Sequence, residues 1–312
     1  MRPLHAFWRF FSQRFPAPRY LAYVLLWPAG VLGTLAPLRP ATAAVGPGPT
    51  AQGCAALALF VILFFMRAVD EIKDLDYDRQ FHPDRPLVTG ETDTATLRTY
   101  LAGSAALALT LSTAVSAAAV VTGAAIMAYS VLLLLLEKAS ERFRESIWGN
   151  IAITIQLKTG LICYAALLAA SGSPGTPPLP TALVVLSFLL AYLHWEIARK
   201  TLRARFALPG EKLYSTACGA RWSLAVATAL MVTACFLRAV VTLKADAGDI
   251  RPATLAVLAI PLALVAWGVV DFHRHSQRRH TAGGPAFAAY LAFLATGAVQ
   301  PALMDKTPPW FG

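Results

Sequence analysis

Residues 67–90 read RAVDEIKDLDYDRQFHPDRPLVTG. The stretch follows directly on an apolar run from Ala55 to Met66. It carries Asp70, Glu71, Asp74, Asp76, Asp78 and Asp84, drawn from the chain's 17 acidic residues. On a helix turning about 100° per residue, Asp70, Glu71, Asp74 and Asp78 share one face with Arg67, and Asp76 points nearly opposite. Carboxylates crowded on one face repel and raise one another's pKa. A hard cation removes that repulsion and wants oxygen ligands. Mg²⁺ takes one or two carboxylates, keeps waters and completes its shell with phosphate oxygens. The pattern therefore points to Mg²⁺ carrying a phosphate or pyrophosphate, with Arg67, Lys73 and Arg85 near enough to help hold the anion. A solvated juxtamembrane loop of mixed charge is the plainer reading. The one-face arrangement and the attachment to a span favour the cation.

Around this stretch the composition is that of a membrane protein. Of 312 residues, 57% are hydrophobic and only 14% charged, against about 25% charged in a soluble domain; mean hydropathy is +0.56. The net charge of +10 does not indicate nucleic acid, because the basic residues lie in loops between apolar runs, as the positive-inside rule requires. Cys54, Cys163, Cys218 and Cys235 form no CxxC pair and fall in or beside apolar runs. They imply neither a disulfide framework nor a zinc site.

The apolar runs predict an all-α, multi-pass protein with nine spans in the lipid bilayer. These are about Tyr20–Leu38, Gln52–Val69, two spans within Leu97–Leu136 broken near Ser112 to Ser116, Ile147–Ala170, Thr181–Ala198, Trp222–Leu243, Pro252–Val270 and Gly284–Leu303. The first reads as an uncleaved span rather than a signal peptide, although Ala41-Thr42-Ala43 offers a weak cleavage match. Residues 1–19 read as an interfacial arm, with arginines among Phe and Trp. PATAAVGPGPT and SGSPGTPPLP are linkers. With the N-terminus inside, most of the 27 Lys and Arg fall on the cytoplasmic side, together with the acidic stretch and the loop from Arg199 to Arg221.

Combined with this layout, the stretch resembles the first aspartate motif of the UbiA-type intramembrane prenyltransferases, N-D-x-x-D-x-x-x-D followed by R-P-[IL]-x-x-G. Asp70-Glu71 stand at N-D, Asp74 and Asp78 follow, and Arg85-Pro86-Leu87-Val88-Thr89-Gly90 comes at the matching distance. The resemblance covers the whole chain, as a single membrane domain over residues 1–312. It implies a nine-helix bundle open to the bilayer that binds an isoprenyl diphosphate through Mg²⁺ at Asp70, Glu71, Asp74 and Asp78. The allylic C–O bond ionises and a hydrophobic acceptor, often aromatic, attacks. A plasma (inner) membrane location follows from the same likeness. A terpene cyclase on the same scaffold and a non-catalytic cation- or lipid-binding or transport protein are the alternatives.

The family's second aspartate motif is replaced here by HWEIARKTLRARFALPGEKLYSTACG. Only Glu196 stays acidic near the expected face, and Arg199, Lys200 and Arg203 share that face. Lys212, in GEKLYS, resembles a diphosphate-binding lysine of the family. Direct capture of diphosphate by Lys200, Arg203 and Lys212 would replace a second metal; simple positive-inside anchoring is the alternative. Tyr129 is followed four residues on by Leu133, so the family's Y-x-x-x-K pattern is absent. Asn150, Thr154 and Lys158 form a polar face in the fifth span. A mid-span lysine is costly and functional by default, so Lys158 is a further candidate for the anion or acceptor. His194 reads as packed, and HRHSQRRH, residues 273–280, as a cytoplasmic anchor.

Overall fold

The computed structural model describes residues 3–38, 47–171, 177–245 and 252–304. The central residues of both expected linkers and the Ala41-Thr42-Ala43 segment lie outside these. Among the described residues there is no strand, and the helices are α1 (Pro3–Arg14), α2 (Ala17–Leu35), α3 (Pro49–Lys73), α4 (Leu75–Phe81), α5 (Thr94–Thr113), α6 (Ala117–Ala139), α7 (Glu141–Glu145), α8 (Ile147–Ser171), α9 (Pro178–Arg199), α10 (Tyr214–Cys218), α11 (Ala220–Ala245), α12 (Pro252–Arg274) and α13 (Gly283–Leu303).

Local chemistry sets the boundaries. Asp93 caps α5 by accepting the Thr96 N–H at 2.6 Å. The expected break between the third and fourth spans falls at Ala114–Ser116, where extended Ser116 caps α6 through the Ala119 N–H at 3.1 Å. Such caps satisfy amides that a helix start leaves open. Prolines open α9, where the missing N–H is harmless.

Eight helices among the described residues are long and apolar enough to cross a membrane: α2, α3, α6, α8, α9, α11, α12 and α13. The remaining expected span is α5, a 20-residue helix whose Arg98, threonines and serines lower its hydropathy. The protein is thus an all-α multi-pass membrane protein with eight spans by this measure; the ninth expected span is present as a helix.

The helices form two compact units. The first holds the N-terminal residues up to Leu25 and Pro49–Leu168. In it α3 packs against α5 and α6. Phe10 and Phe15 of the N-terminal arm are fully buried, within a cluster that includes Phe60, Phe64 and Tyr100. Trp8 stays exposed. α8 joins through a buried Ser112–Tyr164 hydroxyl pair at 2.7 Å and the Tyr129 hydroxyl, which donates to the Ile153 carbonyl at 3.1 Å.

The second unit holds Leu26–Gly48 and the chain from Ala169 onward. Here α9 packs on α11 and α13, and α12 lies between α11 and α13 in the contact order. The later half of α2 meets α13 through glycines. A Cβ on Gly30 would lie 2.8 Å from the Leu294 carbonyl, and one on Gly297 would lie 2.8 Å from the Gly30 carbonyl. Small residues are what allow helix backbones to approach in a membrane. Arg238 of α11 is 1% exposed. It donates to Gln300 Oε1 at 3.1 Å and to the Phe293 carbonyl and Thr296 Oγ1 at 2.8 Å each. His194 is packed, with Nδ1 2.8 Å from the Ala227 carbonyl.

Candidate functional site

The acidic stretch lies entirely in the first unit. α3 ends at Lys73, α4 begins at Leu75, and Asp74 sits at the joint with φ −87° and ψ 4°. The backbone ladder continues across the joint, with Asp74 N–H to the Asp70 carbonyl and Asp78 N–H to the Asp74 carbonyl, each at 2.8 Å. Main-chain pairing keeps the carboxylates close while the altered ψ turns α4 off the line of α3.

The four acids of the motif divide into an open pair and a closed pair. Asp70 and Asp74 are the open ones, with side chains 44% and 39% exposed. Between them stands Lys73, whose ammonium lies 3.2 Å from Asp70 Oδ1, 3.9 Å from Asp74 Oδ1 and 3.6 Å from Glu137 Oε1. Asn150 of α8 donates to the same Glu137 oxygen at 2.8 Å. Three carboxylates thus surround one ammonium, and the amide orients the third of them. Burial, opposed by Lys73 and reinforced by Asp70, Glu137 and Asp78, pushes the Asp74 carboxyl up to about 6 from its usual 3.8. Burial acts here through crowding around the joint, because part of the side chain itself stays open.

Glu71 and Asp78 are the closed pair. Glu71 is 1% exposed. Its Oε1 accepts from Arg14 Nε at 2.8 Å and also from Arg67. Asp78 is 2% exposed, and its Oδ2 accepts from Arg85. The other oxygen of each carboxylate, Glu71 Oε2 and Asp78 Oδ1, is buried with no hydrogen-bond partner. Asp76 is 94% exposed and pairs with Arg79 at 2.9 Å, so it points away from the cluster. The Arg85–Gly90 segment folds into a turn. The Val88 and Thr89 N–H groups donate to the Arg85 carbonyl at 2.9 Å, and Gly90 takes φ +79°, a conformation that favours glycine.

Asp70 and Asp74 fit a hard cation, since two open carboxylates are what Mg²⁺ takes when substrate phosphate supplies further oxygens. Lys73 is already the counter-charge at that spot. Arg67 and Arg85 are each committed to a buried carboxylate, which fixes the backbone around the open pair. Lys158 lies half-buried at mid-length of α8.

The expected second cluster lies in the second unit. Glu196 is buried and accepts from Arg199 in two-pronged fashion, Nε to Oε2 at 2.7 Å and Nη2 to Oε1 at 2.8 Å. Lys200 Nζ is 3.2 Å from the same carboxylate and lies over the Tyr214 ring at 5.4 Å. Burial first, and then Glu196, push the Tyr214 phenol well above its ordinary value. Arg203 leaves the helical face on which the sequence puts it. α9 ends at Arg199, and Arg203 instead donates to the Phe272 carbonyl at 2.6 Å with its guanidinium 4.1 Å from that ring's centre. Lys212 is exposed.

Sequence reasoning passed over Arg14 and Glu137. Arg14 looks like one arginine of an interfacial arm, and only folding delivers it to Glu71. Glu137 carries a usable signal. It is an acid in the last turn of an apolar helix, where a base would suit the helix dipole.

No family model matches the sequence, and no curated protein matches it. Solved structures do. A digeranylgeranylglyceryl phosphate synthase is 17% identical, with 98% of each chain covered and a TM-score of 0.58. An apo UbiA homologue from Aeropyrum pernix K1 is 16% identical over 89% of this chain and 96% of that one, with a TM-score of 0.59. A UbiA homologue from Archaeoglobus fulgidus bound to GPP and Mg²⁺ is 14% identical over 91% and 99%, with a TM-score of 0.55. With likeness over nearly the whole length of each chain, this protein has the fold of the UbiA-type intramembrane prenyltransferases.

Proposed function

We propose that the protein is a Mg²⁺-dependent prenyltransferase that moves an isoprenyl group from a prenyl diphosphate to a hydrophobic acceptor in the membrane. The carrying observation is the open pair Asp70 and Asp74, gathered with Glu137 around Lys73 on this fold. Asp70 and Asp74 would hold the ion. Glu71 and Asp78, each with one oxygen on an arginine, complete the negative wall and set its geometry. Bound Mg²⁺ supplies Lewis-acid stabilisation to the leaving diphosphate. Lys73 adds a positive charge beside the same oxygens. Arg67 and Arg85 act through the carboxylates they hold. Lys158 is a further candidate for the diphosphate, and within the second unit Glu196 fixes Lys200 and Arg199. The N-terminus and both charged loops would lie on the cytoplasmic side of the plasma (inner) membrane, an orientation that the distribution of Lys and Arg supports.

The test is pyrophosphate release from a panel of labelled prenyl diphosphates with Mg²⁺ and a membrane extract. Wild type should release it, and an Asp70→Asn, Asp74→Asn variant should fall at least 100-fold. Equal release from both proteins at every chain length would remove the enzyme reading and leave a binding or transport role. A cyclic hydrocarbon formed without acceptor would identify a terpene cyclase instead.

A further inference from the structure

Sequence alone makes HRHSQRRH a basic anchor at the end of α12. The fold adds a second feature. Asp271 and His275 are one turn apart, and the chain beyond α12 then doubles back and brings His280 to the same carboxylate. His275 Nδ1 lies 3.0 Å from Asp271 Oδ1, and His280 Nε2 lies 2.6 Å from Asp271 Oδ2. The two imidazole rings are 4.9 Å apart. One donor atom from each of the three residues falls within 4.8 Å of the others.

The arrangement is held from outside. Arg205 donates to the Ser276 carbonyl and to Gln277 Oε1, the latter at 3.3 Å. Arg279 donates to the Phe206 carbonyl and, at 2.6 Å, to Glu211 Oε1. These bonds fasten both sides of the turn carrying His280. They also tie Arg279 to a carboxylate of its own, so its charge does not oppose a cation at Asp271. The three side chains are 18–35% exposed, enough for an ion and a water to reach them.

We propose that Asp271, His275 and His280 form a binding site for a zinc-class divalent ion, separate from the acidic stretch. The donor set is two imidazoles and one carboxylate, which zinc accepts with an open fourth position for water. Ligand atoms around a tetrahedral zinc lie about 3.3 Å apart, a spacing that small side-chain shifts reach from donor atoms already within 4.8 Å of one another. The ion takes the place of the proton shared between His280 and Asp271, which passes to solvent, while His275, whose Nδ1 also lies 3.0 Å from the Asp271 carbonyl, moves its proton to Nε2 so that Nδ1 can bind. Mg²⁺ does not compete, because it prefers an all-oxygen shell. The bound ion would staple the end of α12 to the turn that leads into α13. None of this depends on the prenyl-transfer reading.

The experiment uses the full chain in detergent, stripped with chelator and titrated with Co²⁺ as the spectroscopic probe. One equivalent should give visible d–d absorption, displaced by equimolar Zn²⁺ and unmoved by excess Mg²⁺. His280→Ala should weaken binding at least tenfold, while Asp74→Asn leaves it unchanged. Identical titrations for wild type and His280→Ala overturn the proposal. X-ray absorption at the zinc edge of the wild type needs no variant. Two nitrogen neighbours at about 2.0 Å support the site, and a shell of oxygens alone overturns it.

Discussion

Lys73 Nζ and Glu137 Oε1 stand 3.6 Å apart, joining the last residue of α3 to the last turn of α6. Glu137 shares the ammonium with Asp70 and Asp74 and is itself oriented by Asn150. Without Glu137, Lys73 has only the two aspartates to pair with and competes there with a metal. Glu137→Gln should therefore raise the Mg²⁺ concentration needed for half-maximal pyrophosphate release by several-fold. Stability should fall by only about 1 kcal/mol, as for a partly exposed pair. A Mg²⁺ titration of both proteins measures the first effect and thermal unfolding the second.

Arg14 and Glu71 give a prediction of the opposite kind. Glu71 is buried, so removing Glu71 strands two guanidinium groups and removing Arg14 leaves the carboxylate with Arg67 alone. Glu71→Gln should destabilise the protein by about 3 kcal/mol, and Arg14→Ala by about 1–3 kcal/mol. Arg14→Ala should leave the Mg²⁺ requirement nearly as it was. Thermal unfolding in detergent set beside the Mg²⁺ titration separates the two effects.

The raised Asp74 carboxyl makes two statements about pH. A metal at Asp74 must displace a proton below about pH 6, so Mg²⁺ affinity should drop by up to about tenfold per unit as pH falls below that value. For the metal-free protein the sign is reversed. Protonated Asp74 favours the folded state, an advantage complete below pH 3.8 and lost as pH rises through about 6. Asp74→Asn should abolish both dependences. Calorimetric Mg²⁺ binding and unfolding, each followed from pH 4 to 8, provide the check.

The glycine contact between α2 and α13 predicts a steric effect. A methyl group at position 297 would press on the Gly30 carbonyl and on Thr34 Oγ1, 2.8 and 3.0 Å away. Gly297→Ala should cost about 1–3 kcal/mol, the usual range for overpacking, and Gly297→Leu more. A variant as stable as wild type would mean that the helices can separate freely.

Much of this was readable from residue order. Apolar runs gave the helices, and the capping serine marked the break before α6. Asp76, set apart from the other acids by its angle on a helical wheel, is the exposed one. The wheel also put Glu71 and Asp78 on the face of Asp70, and past Asp74 its premise no longer holds. It assumes one straight helix, whereas the backbone bends at Asp74. It also sees only residues near in sequence, whereas Arg14 reaches Glu71 from far upstream. The misplacement of Arg203 has the same origin, since the helix needed to carry it onto the Glu196 face stops at Arg199. Residues 273–280 read only as a basic anchor because a turn, not a helical repeat, brings His280 back to Asp271.

Arg238 bears on how the chain is built as well as how it stands. Its acceptors, Phe293, Thr296 and Gln300, all belong to α13, a helix synthesised well after α11. Until α13 arrives, α11 carries an unsatisfied guanidinium, a charge that costs up to about 2.5–3.5 kcal/mol inside the bilayer. Newly made α11 is thus a poor lodger in lipid alone, and its settled residence waits on the synthesis of α13. A chain cut short before α13 would display that unsatisfied charge, a ready mark for membrane quality control.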